Sequence, residues 1–270
     1  MHYYEWGDPA NRRVVLCAHG LTRNGRDFDA LARELAADFR VVCPDIPGRG
    51  RSDWLRDPND YVYPVYMGAA TALIARADAE WLGWVGTSMG GLLGMALAAQ
   101  PGTPIAAFVI NDVGPEIQPA ALARIGQYVG ADPKFATFDA LEMHIRTVSA
   151  PFGRLSDAQW RALSESTAKQ LPDGRWALRY DPGIAIPFRN APADQSALLW
   201  PLWDAIRCPT LLLRGAHSDL LSADTAQRMI ARGPRPTLVE VPDVGHAPML
   251  FDAGQIAPVA DFLRAQVGRS

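Results

Sequence analysis

The sequence predicts a doubly wound α/β fold, with a mainly parallel sheet, helices on both faces and a helical insertion. Three observations carry this. Short apolar runs alternate with helical patterns along most of the chain. The alternation stops after residue 115 and resumes near residue 208. At its midpoint a G-x-S-x-G motif, Gly86-Thr87-Ser88-Met89-Gly90, joins an apolar run to a helical one. Strands that alternate with helices form parallel sheets covered on both faces.

The elements follow in order. Arg13–Ala18 is a buried-strand candidate ended by His19-Gly20, and Asp27–Ala37 has helical spacing through Phe28, Leu31 and Leu35. A second strand, Phe39–Pro44, breaks at the turn-rich Asp45-Ile46-Pro47-Gly48-Arg49-Gly50-Arg51-Ser52-Asp53. Pro64–Arg76 reads as helix, Trp81–Thr87 as the strand entering the motif, Ser88–Gln100 as its helix and Ile105–Asn111 as the next strand.

Beyond Pro115 the rhythm changes. Residues 116 to about 203 carry several helical patterns and no good buried strand. Phe135, Phe138, Leu141 or Glu142, Ile145 and Val148 mark an amphipathic helix, and Leu155–Leu171 holds another candidate. The alternation returns with a strand at Cys208–Arg214, a helix near Ala223–Ala231, a strand near Thr237–Val241 and a closing helix from about Ile256 to Gln266. The expected organisation is a core of residues 1–114 and 204–270 carrying a helical lid, residues 115–203.

Composition narrows the function classes. Net charge −3 and pI near 5.9 give no reason to expect nucleic acid or an anionic membrane as partner. No apolar run reaches membrane-span length, and the first residues show no basic and apolar leader, so a cytoplasmic protein is expected. Cys17, Cys43 and Cys208 are widely spaced and sit in or beside apolar runs, as buried reduced thiols do. No metal site is expected. Oligomeric state is not legible.

With 23 glycines and 10 serines in the chain, chance supplies roughly 0.07 copies of G-x-S-x-G. The plain reading is a glycine-rich turn with Ser88 as helix N-cap. The chemical reading is a nucleophile elbow. A sharp strand–turn–helix junction holds the Ser88 hydroxyl above the sheet edge, while Gly86 and Gly90 relieve crowding and the helix start favours an anion.

A serine nucleophile needs a base, and the base needs an orienting acid. Of five histidines, His246 is preferred, because its loop Asp243–Pro248 follows the last strand. Asp219, in Arg214-Gly215-Ala216-His217-Ser218-Asp219, is the preferred acid, and Asp112, just past Ile105–Asn111, is its rival. Asp112 is otherwise expected to anchor the start of the insertion. The oxyanion donors are expected to be the backbone N–H groups of Met89 and Leu21, with Gly20 allowing an unusual backbone. Leu21, Met89 and Ala247 flank the nucleophile and base and are expected pocket residues. Arg23 and Arg26 are placed to recruit a carboxylate, although solvated surface arginines are commoner. The aromatic residues of the insertion, Phe152 and Trp160 among them, are expected mostly to bind the lid to itself and to the body, with one or two lining the acyl or alcohol pocket.

Together, His19-Gly20, Pro44–Ser52, Gly86–Gly91, Arg214–Asp219 and Gly245-His246 resemble the α/β-hydrolase superfamily over nearly the whole chain. The resemblance implies an eight-stranded sheet with a helical lid, a Ser88/His246/Asp219 triad and no cofactor. It is nearest to small bacterial esterases, enol-lactonases and C–C bond hydrolases. Ser88 stands where dehalogenases and epoxide hydrolases of the superfamily carry aspartate, and the glycine-rich first turn usual in meta-cleavage hydrolases is absent. The expected function is hydrolysis of a small-to-medium, largely apolar carboxylic ester or lactone through an acyl-enzyme. The alternatives are a C–C bond hydrolase and a non-catalytic ligand-binding protein on the same fold.

Overall fold

The structure is a computed structural model that describes residues 1–192 and 194–268. Ala193, inside the expected lid, and Arg269 and Ser270, at the end of the expected core, lie outside the described residues.

In chain order the first half comprises β1 (Tyr3–Trp6), β2 (Arg13–Ala18), α1 (Asp29–Leu35), β3 (Arg40–Pro44), α2 (Tyr63–Ala77), β4 (Trp81–Thr87), α3 (Met89–Ala98) and β5 (Ile105–Asn111). The middle segment comprises α4 (Pro119–Gly126), β6 (Lys134–Phe135), α5 (Phe138–Val148), α6 (Asp157–Thr167), β7 (Ala168–Gln170), β8 (Trp176–Leu178), α7 (Ala185–Asn190) and α8 (Ser196–Ala205). The chain then returns through β9 (Thr210–Gly215), α9 (Ala223–Ala231), β10 (Thr237–Val241) and α10 (Ala253–Val267).

Among the described residues the main sheet has seven strands, in the order β1-β3-β2-β4-β5-β9-β10, not the eight implied by the resemblance. The residues before β2 supply a single strand, β1, antiparallel to β3, and every other neighbouring pair is parallel. Strand β1 escapes the sequence reading because its four residues, half-buried or exposed, show no apolar run.

The strand interiors are buried on both faces, which explains their continuous apolar runs. Val14, Leu16 and Ala18 of β2 enter one core with Trp84, Phe108 and Ile110, beneath α2 and α3. Val15 and Cys17 enter the other with Val85, Ala107 and Val109, beneath α1 and α10. This is the two-residue period of a strand dividing its side chains between two layers. Each fully buried Leu, Val or Phe contributes about 1.5–3 kcal/mol.

The middle segment is not helical throughout. Strands β6, β8 and β7 form a small antiparallel sheet. At two or three residues each, they are too short to show alternation in sequence. Leu141, Ile145, Trp160, Leu163 and Ala168 form a separate apolar cluster that also takes in Met249, from the loop after β10. Helix α6 is closed at its start by a capping box between Ser156 and Gln159, which the sequence S-x-x-Q encodes. Helix α8 runs through position 203, and its Trp203 is fully buried in the main core.

Candidate active site

Strand β4 delivers the chain to Ser88, whose backbone sits at φ 53°, ψ −116°. A non-glycine residue is costly there, so the neighbours must over-determine it. They do. The Ser88 N–H donates to the Asn111 carbonyl at 3.0 Å, and the N–H groups of Gly91 and Leu92 donate to the Ser88 carbonyl at 2.8 and 3.0 Å. A Cβ at Gly86 would lie 2.2 Å from the Gly90 carbonyl oxygen, and one at Gly90 would lie 2.0 Å from that of Ala18. The turn closes only because both positions lack a side chain.

The Ser88 hydroxyl is 3.0 Å from His246 Nε2, and His246 Nδ1 is 2.7 Å from Asp112 Oδ2. The contacts assign the tautomer, with Nδ1–H donating to the carboxylate and Nε2 accepting from the hydroxyl. Asp112 is fully buried. Its Oδ1 accepts the Gly215 N–H at 2.8 Å, and its Oδ2 also accepts the Ser218 hydroxyl at 2.7 Å. The His246 loop is held from both sides. Gly245 N–H donates to the Pro151 carbonyl at 2.7 Å, and Asn111 Nδ2 donates to the Pro248 carbonyl at 2.8 Å.

The acid facing His246 is therefore Asp112 and not Asp219. Strand β5 lies directly beside β4, with Thr87 opposite Asn111, so Asp112 leaves the sheet next to Ser88. Asp219 follows β9, one strand further away. The turn after β9 brings Ser218 onto Asp112, while Asp219 meets Arg124 of α4, at 2.6 and 2.9 Å. Partial burial pushes the Asp219 carboxyl up, but the Arg124 hydrogen bond and charge, with a contribution from His246, hold it below its ordinary value.

The His19–Thr22 turn lies against the elbow. A Cβ on Gly20 would sit 3.7 Å from the Ser88 Cβ. Gly20 does not have the unusual backbone expected of it, because its φ is not positive and a side chain there would make only ordinary contacts. The conformation is fixed instead by His19, whose role sequence reasoning missed. Its Nδ1 donates to the Gly20 carbonyl at 2.7 Å, and its Nε2 accepts the Ile46 N–H at 2.9 Å. Full burial lowers its pKa to about 3, so the ring stays neutral. The Leu21 carbonyl is held by a second missed residue, the buried Arg49, whose Nε donates to it at 2.8 Å.

A cavity of about 90 Å³ opens in front of Ser88 and His246. Leu21 and Ala247 line it, together with Tyr128, Ile145, Val148, Phe152, Leu178 and Met249. Met89 does not line it. At the first position of α3 its side chain turns into the core, with Sδ 3.7 Å from Arg49 Nη2. Arg23 reaches the cavity but is bidentate to Asp27, at 2.8 and 2.6 Å. Arg26 lies away from it, paired with Asp29 and stacked on Tyr4. Of the aromatic residues expected to bind the lid, Phe152 lines the cavity, whereas Trp160 packs inside the segment's own cluster. No group of three His, Cys, Asp or Glu side chains with metal-binding geometry occurs among the described residues.

Comparison with known proteins agrees with this architecture. Residues 14–259 match the alpha/beta hydrolase family. The chain is 51% identical over 269 residues to a 3-hydroxybutyrate-oligomer hydrolase of Cupriavidus necator, covering 97% of this chain and 92% of that one. Among solved structures, an alpha/beta hydrolase from Novosphingobium aromaticivorans is 41% identical with a TM-score of 0.87, covering 97% of this chain and 93% of that one. A putative hydrolase from Rickettsia typhi is 32% identical with a TM-score of 0.90, covering 97% and 90%. The seven-stranded sheet, the elbow and these matches over nearly its whole length agree: the chain belongs to the alpha/beta hydrolase family.

Proposed function

We propose that this chain is a serine ester hydrolase acting through an acyl-enzyme, with Ser88 as nucleophile, His246 as base and Asp112 as orienting acid. The observation that carries the proposal is the unbroken chain of contacts from the Ser88 hydroxyl through both His246 nitrogens to a buried carboxylate. As Ser88 Oγ attacks the ester carbonyl, its proton passes to His246 Nε2, and the buried Asp112 carboxylate stabilises the imidazolium. The N–H groups of Leu21 and Met89 receive the oxyanion. The carbon–oxygen bond to the leaving alcohol breaks as His246 returns the proton to that oxygen. Water, deprotonated by the same imidazole, then releases the acid.

In this reading residues 115–203 act as a lid, and the cavity between them and Ser88 takes the acyl chain. Its largely apolar walls, in which Arg23 and Arg124 are paired with Asp27 and Asp219, and its small volume favour short, uncharged chains. The 51% identity to a 3-hydroxybutyrate-oligomer hydrolase supports esters of a short hydroxy acid as the substrate class.

The test is turnover of a series of p-nitrophenyl esters of increasing acyl length, and of 3-hydroxybutyrate dimer and trimer. Ser88→Ala serves as the control. We expect activity on short acyl chains and on the oligomers, abolished in the variant with its fold unchanged. Near-normal rates in Ser88→Ala would sink the proposal.

A further inference from the structure

Among the described residues two arginines are buried, and they differ in company. Arg214 has the Glu240 carboxylate at 2.6 Å. Arg49 is fully buried, and among the described residues no carboxylate lies within ion-pair distance of it. Its acceptors are neutral. They are the Leu21 carbonyl at 2.8 Å, the Pro47 carbonyl and the Tyr66 hydroxyl, both at 2.8 Å, and the Met89 thioether at 3.7 Å. The rings of Tyr66 and Tyr61 stand 5.0 and 5.6 Å from its guanidinium carbon. The Asp181 carboxylate is one phenol away, accepting the Tyr61 hydroxyl at 2.6 Å.

Burying a charge without a counter-ion is costly, and an apolar side chain of similar volume would avoid that cost. What the guanidinium gains here is contact with Leu21 and Met89 at once. The peptide unit carrying the Leu21 N–H is pinned at its Gly20 carbonyl by His19, at 2.7 Å. The following peptide unit is pinned at the Leu21 carbonyl by Arg49. With the peptides on both sides of the Leu21 Cα held, the direction of its N–H is set.

We propose that Arg49 is the positioning residue of the oxyanion site. It fixes the Leu21 N–H, and it sets a positive charge without a carboxylate partner against the Leu21 carbonyl and the Met89 side chain. This inference rests on the reading that the Leu21 and Met89 N–H groups receive the oxyanion. A fixed charge in a site shielded from water acts on developing negative charge far more strongly than in solvent. Arg49 itself touches no substrate, so its effect falls on the tetrahedral state and not on ester binding.

The test compares wild type, Arg49→Lys, which keeps the charge but not the fork, and Arg49→Gln, which loses both. Turnover of p-nitrophenyl butyrate is measured beside inhibition by phenylboronic acid, which forms a tetrahedral anionic adduct on a serine nucleophile. We expect kcat to fall about 100-fold in Arg49→Gln and about tenfold in Arg49→Lys, with KM within about threefold of wild type. Boronate affinity should weaken in step with kcat. A folded variant that keeps wild-type kcat and boronate affinity, or loses only in KM, overturns the proposal. Where Arg49→Gln does not fold, Arg49→Lys decides by the same criteria. Wild-type protein that neither turns over the ester nor binds the boronate overturns the esterase reading itself. That outcome is distinct from a wild type that does both while the variants match it.

Discussion

His246 Nδ1 stands 2.7 Å from Asp112 Oδ2, while Asp219 is bound in both its oxygens by Arg124. The contrast separates two carboxylates that both follow the carboxyl ends of buried strands, Asp112 directly after β5 and Asp219 four residues after β9. Asp112→Asn retains an oxygen for the Gly215 N–H but presents an amide to His246, which favours the wrong tautomer. We expect kcat to fall about 10³–10⁴-fold with little change in Tm. Asp219→Asn removes a half-exposed ion pair and should leave kcat within about fivefold of wild type, since exposed pairs contribute little. Parallel kcat measurements on one short ester check both, and a reversed ranking would restore Asp219 as the acid.

The glycines of the elbow and of the His19–Thr22 turn should behave differently. A Cβ at Gly90 meets the Ala18 carbonyl oxygen at 2.0 Å, which no rotamer relieves. Gly90→Ala should cost about 3 kcal/mol or more, or prevent folding, as overpacking against backbone does. At Gly20 the nearest atoms are 3.6 Å or more away, and φ is not positive. Gly20→Ala should stay within about 1 kcal/mol of wild type by thermal or urea unfolding.

What the sequence discloses about this site follows the range of the forces involved. The elbow is local. Gly86, Ser88 and Gly90 make their decisive contacts within a few residues or with the adjoining strand, so the motif carries its own geometry. His246 is legible because nothing in its loop gives it another task. Which carboxylate meets His246 is not a local matter. Asp112 and Asp219 both follow buried strands, and only the lateral order of the sheet puts β5 against β4. The same holds for Arg49. In sequence it is one residue of a turn rich in Gly and Arg, and its burial depends on Tyr61 and Tyr66 closing over it. The short strands β6, β7 and β8 are held by pairing with one another and leave no periodic trace.

Glu116 ties the start of the inserted segment to its return. It accepts from Arg228 Nη1 of α9 at 2.8 Å and from Trp200 Nε1 of α8 at 3.0 Å. The Arg228 hydrogen bond, then that of Trp200, lowers its pKa from 4.5 to about 2. A carboxylate depressed in the folded state stabilises above its unfolded pKa and loses that contribution as pH falls through the folded value. Glu116→Gln should therefore lower Tm at pH 7, and the difference from wild type should shrink between pH 4.5 and about 2. Added salt should reduce it as well, because the pair is partly exposed. Thermal melts across that pH range check this, and a difference independent of pH would assign the effect to packing alone.

Phe152 offers a direct handle on chain-length preference. It sits in the short turn Ala150–Phe152 after α5 and lines the cavity near Ile145, Val148 and Leu178. Its phenyl ring is one of the apolar side chains that close the cavity of about 90 Å³. The ring is only half-buried, so Phe152→Ala should cost less than the 3–5 kcal/mol typical of a fully buried phenylalanine. The space released would admit further methylenes of an acyl chain, each contributing about 0.8 kcal/mol on burial. We expect kcat/KM for a hexanoyl ester to rise about tenfold relative to the butyryl ester, since one or two methylenes in an apolar pocket are worth that much. The butyryl rate itself should fall, because the shorter chain loses a contact surface and gains none. An unchanged hexanoyl-to-butyryl ratio would mean that the acyl chain lies elsewhere, with the leaving alcohol facing Phe152, and a series varying the alcohol at fixed acyl length would then show the shift instead.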